Sequence, residues 1–147
     1  MINIADWPHA PSPLGAYSAC HVRDGYGTIS GQMPIVEGVM QHRGTIGGDV
    51  TRPQAKQAIS IASRNCLAQL AKYLHDTGRT LVGLSHLSGY LRTTTDFTEH
   101  AELMDVSSEV FLGVLGTTIG AHTRSVVGVA SLPASACVEL VLNFHVR

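Results

Sequence analysis

No cluster of lysine or arginine stands out anywhere in this 147-residue sequence, and its ten basic side chains nearly balance eleven acidic ones, for a formal net charge of −1. A protein that wraps a polyanion needs a basic footprint, so nucleic acid is not an expected partner. Cysteine is scarce and odd in number: Cys20, Cys66 and Cys137. With no secretory signal read in the sequence, this excludes a disulfide framework and predicts a reducing, cytoplasmic compartment. No apolar run approaches the roughly eighteen residues of a membrane span, so the expected protein is soluble. The eight histidines are scattered, with no HExxH and no CxxC, so no metal and no cofactor are expected. The glycines of GTIGGD (Gly44 to Asp49) lack the Lys-Ser/Thr of a phosphate-binding loop and read as a turn.

What is present is apolar. Hydrophobic residues make up 44% and charged residues 14% of the chain, enough for one domain with a real core over 1–147 and too little length for two. Pro8, Pro11 and Pro13 make the first thirteen residues an extended lead-in. AYSACHV (Ala16 to Val22) and GTISGQM (Gly27 to Met33) read as strands flanking an Asp24-Gly25 hairpin turn, and a third short strand is expected near Val39 to Arg43. Thr51 and Gln54 form a capping box for a helix whose apolar stripe runs from Ala55 to Leu74 and stops at Gly78. After a strand at Gly83 to Leu91, Asp96 and Glu99 form a second capping box for a helix that runs to Gly116. Strands at Arg124 to Leu132 and Ala136 to Val146 close the chain. The fold class is α+β: a mostly antiparallel sheet with two long helices on one face.

Side chains of a strand alternate between faces, so Val138, Leu140, Leu142, Phe144 and Val146 should lie under the helices, with Cys137, Glu139, Val141, Asn143 and His145 on the other side. Val126, Gly128 and Ala130 share a side with Arg124. Two helices cover only one sheet face, so the second face predicts a homo-oligomer, with Arg124 and Glu139 near the surface between copies. Arg124, a cation heading an apolar strand, needs a counter-charge. One reading is an ion pair with Glu139 on a neighbouring antiparallel strand. The other has the planar guanidinium take a substrate carboxylate in a two-pronged hydrogen bond, while Glu139, its proton affinity raised among Cys137 and Val141, activates a water. His122, two residues before Arg124, is a tuning residue in the second reading and a structural one in the first. Cys137 reads as a small hydrophobe rather than a nucleophile.

PLGAYSA (Pro13 to Ala19), ISGQMPI (Ile29 to Ile35), TRSVVGVASLP (Thr123 to Pro133) and VEL (Val138 to Leu140) resemble the corresponding elements of the RidA/YjgF family of enamine and imine deaminases, some of which carry the name endoribonuclease L-PSP. The resemblance implies a chorismate-mutase-like (ferredoxin-like-type) sandwich assembled as a homotrimer, with clefts between subunits and no cofactor. It implies that Arg124 clamps a substrate carboxylate, helped by the main-chain N–H near Val126, that Glu139 positions the water, and that Tyr17 and Ser30 line the cleft. The activity implied is hydrolysis of a small enamine or imine carboxylate to a 2-keto acid and ammonia.

The chain departs from that pattern in being several residues longer between Asp96 and Arg124. The family's asparagine has its nearest counterpart in Asp105 or Ala101, and Val126 stands where a cysteine is frequent. These departures, with GTIGGDVT and DFTEH, are similar to a longer, chorismate-mutase-like branch. Three other readings stand beside the deaminase. They are a non-catalytic protein that binds small carboxylates, a ribonuclease, and a mutase for a dicarboxylate whose second cation would be Arg92 or Arg23.

Overall fold

The structure, a computed structural model, describes residues 9–147. Most of the extended lead-in expected from the three prolines (residues 1–8) lies outside the described residues, and 9–19 carry neither helix nor strand. Regular structure begins at Cys20, and the predicted turn follows it. Asp24 and Gly25 both adopt positive φ, 51° and 79°, the conformation a two-residue hairpin demands. They join β1 (Cys20–Arg23) to β2 (Tyr26–Gln32) as an antiparallel pair, so the first strand starts four residues later than its sequence pattern suggested. The third strand is a two-residue hairpin, β3 (Ile35–Val36) and β4 (Val39–Met40), that stands apart from the main sheet.

Helix α1 (Arg52–Thr77) is built as its caps predict. The Thr51 side chain accepts the Gln54 N–H, the Gln54 side chain accepts the Thr51 N–H, and Gly78 closes the helix in the left-handed region with its N–H on the Leu74 carbonyl. Ala55, Ala58, Ile59, Ala62, Cys66, Leu67 and Leu70 are buried along one stripe. Thr51→Ala removes one half of the box and is expected to cost about 1 kcal/mol, a drop of about 3 °C in a thermal melt of a chain this size.

Strand β5 (Leu81–Arg92) leads to helix α2 (His100–Ile119), and here the second capping box does not form. The first helical hydrogen bond is Leu103 N–H to Glu99 O, so Glu99 is itself the cap residue and its side chain makes no cap bond. Its carboxylate is engaged by Arg52 at the start of α1 instead. At the other end α2 does not stop at Gly116: the backbone breaks there, at φ 78° and ψ 170°, and makes one more turn to Gly120.

β6 (Thr123–Val129) and β7 (Val138–Val146) complete a five-stranded sheet in the order β1-β2-β7-β5-β6. β6 therefore lies not beside β7 but beyond β5, to which it runs parallel. The β5–α2–β6 segment is the crossover that parallel neighbours require. β7 sits in the middle, antiparallel to both β2 and β5. Its alternation holds: Val138, Leu140, Leu142, Phe144 and Val146 are buried under the helices, Glu139, Val141 and Asn143 are half-buried on the open face, and His145 is exposed. Cys137 departs from the pattern. It precedes the strand and is buried in the core, where loss of hydration pushes its thiol up to about 11. All three cysteines are free. Among the described residues no helix is long and apolar enough to cross a membrane, and no group of His, Cys, Asp and Glu is placed to hold a metal ion.

The GTIGGD segment is the turn expected of it. The Asp49 carboxylate accepts the Thr45 N–H at 2.6 Å, which holds its carboxyl below the usual range, and Ile46 bridges to Val50 and Thr93.

Candidate functional site

Arg124 and Glu139 do not form an ion pair. β5 lies between their strands, which sets them about 10 Å apart across the sheet. The register adds an offset along it, since Arg124 faces Leu87 whereas Glu139 faces Tyr90. The two side chains also leave opposite faces. Leu87 is fully buried in the core, and a Cβ on Gly89, the register partner of Val126, would meet Met104 of α2. The side of β6 that carries Arg124 and Val126 is thus the helix-covered side, and only Glu139 projects from the open face. The sequence reading made their strands antiparallel neighbours; strand order and register correct that point and set the two groups on opposite faces of one chain.

Arg124 is held instead by α2. Its Nη1 donates to Asp105 Oδ1 and to Ser108 Oγ, both at 3.0 Å, and its Nη2 donates to the Ala101 carbonyl at 3.1 Å. Ala101, Asp105 and Ser108 are spaced i, i+4, i+7, one face of a helix, which is why a single guanidinium reaches all three. Asp105 and Ala101, the two nearest counterparts of the family asparagine, are both among its partners. A guanidinium has five N–H donors; three are spent here, so two remain, on a side chain that is 22% exposed. The Asp105 carboxylate is mostly in solvent, at 64%, so this ion pair is weak and can be exchanged for another anion.

Behind Ser108 stands His122. Its Nδ1 lies 2.6 Å from the Gly120 carbonyl, which can only accept, so Nδ1 carries the proton and Nε2 accepts from the Ser108 hydroxyl at 3.0 Å. The ring packs edge-on against Phe111. The result is a directed chain from Arg124 through Ser108 and His122 to the end of α2, which fixes the guanidinium in place. Proximity in sequence flagged His122; nothing in the sequence flagged Ser108, sixteen residues from Arg124.

The other half is built around a bulge. In β2, Ile29 pairs with Leu142 and Gln32 with Leu140, so Ser30 and Gly31 together stand opposite Val141 alone, the two-against-one count of a β-bulge. The bulge brings Gly31 against Glu139, and a Cβ at position 31 would overlap that carboxylate. Ser30 is pinned by its own hydroxyl, which donates to the Ala19 carbonyl at 3.2 Å. Tyr17, 51% exposed, shares a shallow depression with Ser30, Gly31 and Pro13. Tyr17, Ser30 and, through Gly31, Glu139 are thus gathered on one side. Burial raises the Glu139 carboxyl above the usual carboxylate range, as its apolar strand neighbours predict. Val126 sits with Arg124, packed against the core. Arg23 lies on β1, at the opposite edge of the sheet from β6, and Arg92 faces Val129 rather than Arg124.

Comparison with known proteins gives a consistent picture. A family model described as "YjgF/chorismate_mutase-like, putative endoribonuclease" matches residues 3–145. The protein TCP17 of Trypanosoma cruzi is 31% identical over 114 residues, 76% of this chain and 69% of that one. The crystal structure of the Agrobacterium tumefaciens protein Atu1372, of unknown function, superposes with a TM-score of 0.83 at 28% identity, covering 89% of this chain and 82% of the other. RidA from an Antarctic Psychrobacter shares the fold at a TM-score of 0.60 and 23% identity, covering 92% and 93%.

Proposed function

Since the chain belongs to the YjgF/chorismate-mutase-like family, whose fold it has, we propose that it hydrolyses a small imine or enamine carboxylate in a cleft between two copies, with Arg124 from one and Glu139 from the next. The family supports a small-molecule deaminase or a related role for an oligomeric protein. The observation that carries the finer reading is the separation of the two charged groups. Arg124 keeps two N–H donors free on the helix side, and Glu139 offers a carboxylate of raised proton affinity on the open side. A substrate of a few carbon atoms cannot touch both within one chain. A second copy supplies the missing half and at the same time covers an open sheet face that the two helices leave bare.

In this mechanism the substrate carboxylate takes the free donors of Arg124, displacing or sharing with Asp105. A 2-aminoacrylate-like enamine tautomerises to its imine. Glu139 holds a water and takes its proton as the oxygen adds to the C=N carbon; the proton passes to nitrogen, and the carbinolamine collapses to a 2-keto acid and ammonia. Burial raises the proton affinity of Glu139, which favours its role as the base that takes the proton and returns it. The balanced charge of the chain gives no support to a ribonuclease.

The test generates 2-imino acids in situ with an amino-acid oxidase and follows their conversion to keto acid. Arg124→Ala is expected to lower kcat/KM by about 10- to 100-fold, the loss of hydrogen bonds to a charged group. Glu139→Gln is expected to lower kcat by at least about 100-fold, the scale of general acid–base catalysis. Equal rates in the wild type and both variants would end the assignment. A second reading, binding of a carboxylate without turnover, draws on Asp105, which already occupies part of the guanidinium; it predicts 2-keto acid binding lost in Arg124→Ala and no ammonia released by any form.

A further inference from the structure

Near the last turns of α1 and α2, Leu74, Leu81, Val114, Leu115 and Ile119 wall a groove of about 720 Å³. Its walls are apolar, with Val114 43% exposed. Interiors are normally filled to crystal-like density, and exposed apolar patches mark binding surfaces. The volume falls within the few hundred to about 1,000 Å³ typical of small-molecule sites.

The polar rim has one sign. His75 and Arg79 line the groove and no carboxylate does. Asp76, next to His75 in sequence, is turned to Lys72. Arg79 has no acidic partner among the described residues. The groove lies at the Leu81 end of β5, about 30 Å along the strand from Tyr90, the register partner of Glu139, and shares no lining residue with the Arg124 or Glu139 half-sites.

We propose that this groove binds an amphiphilic monocarboxylate of the size of a medium-chain fatty acid, its tail along Leu74, Val114, Leu115 and Ile119 and its head on Arg79. A single anionic head answers the single unpaired guanidinium, and an unbranched tail answers an open apolar channel better than a folded protein surface would. The site is independent of the deaminase reading.

Titration of the full chain with decanoate below its micellar range, followed by calorimetry, is the test. The wild type is expected to bind one decanoate per chain saturably. Arg79→Gln, or 1-decanol in place of decanoate, should weaken binding by about tenfold. Val114→Trp, at a half-exposed position that tolerates a larger side chain, should fill the groove and abolish it, whereas Arg124→Ala should leave it intact. The proposal is overturned if decanoate does not saturate a folded wild type, if Arg79→Gln binds as tightly as wild type, or if Arg124→Ala removes the binding. It is likewise overturned if Val114→Trp lowers the assembly mass in light scattering while decanoate shows no heat, which would make a second copy the occupant.

Discussion

An equal mixture of Arg124→Ala and Glu139→Gln chains, unfolded together and refolded, is expected to regain about one quarter of wild-type imine hydrolysis, although each variant alone keeps at most about one tenth of it. The figure follows from the geometry. If every cleft draws its arginine from one copy and its glutamate from the next, a random ring assembles an intact cleft whenever an Arg-bearing and a Glu-bearing chain meet in the right order, half of a half of the time. A cleft contained in one chain would recover nothing, because every chain carries one lesion. β5 between the two strands, and the opposite faces from which the groups project, make the first outcome the expected one. Turnover of enzymatically generated 2-iminopropanoate, measured before and after mixing, reads the result directly. No recovery from mixtures whose mass confirms mixed oligomers would remove the shared cleft.

Replacing Gly31 by alanine should cost as much activity as Glu139→Gln, at least about 100-fold in kcat, with little change in stability. The added methyl would occupy the space of the Glu139 carboxylate, and the longer, half-exposed side chain is the partner that has to move. No positive φ is recorded at Gly31, so alanine brings no backbone strain of the kind it would bring at Gly25 or Gly116. A melting temperature within about 3 °C of wild type, corresponding to about 1 kcal/mol in a chain of this length, separates a displaced carboxylate from a damaged fold. Refolding with Arg124→Ala should restore activity and refolding with Glu139→Gln should not, which would assign Gly31 to the glutamate half. Full activity in Gly31→Ala would mean that the water is held elsewhere.

Local signals were legible wherever one residue type had one conformational consequence. Thr51 and Gln54 started α1, Gly78 ended it, Asp24-Gly25 turned the first hairpin, and the alternation from Val138 to Val146 marked the covered face of β7. Asp96 and Glu99 carried the same signature as Thr51 and Gln54, yet α2 starts after Glu99, which makes Glu99 the cap residue and leaves its carboxylate on Arg52, forty-seven residues earlier; no local pattern encodes where the first turn begins. Strand order was hidden for a similar reason. Consecutive strands joined by a short link suggest a hairpin, but the link from Val129 to Val138, with Ala134 and Ser135 at positive φ, steps across β5 instead. The residues that hold the site together were the least visible. Ser108 matters only because α2 lies over Arg124, and Gly31 only because a bulge turns it toward Glu139.

The central place of β7 bears on how the chain comes into being. Every strand on one flank reaches the other flank only through β7, which follows all of them in sequence, so α1 and the first hairpin are made before the five strands can pair. Until then the underside of α1 and the edges of β2 and β5 stay sticky and unpaired. Pairing of the sheet therefore waits on β7, and until it docks those edges are open to capture by other chains.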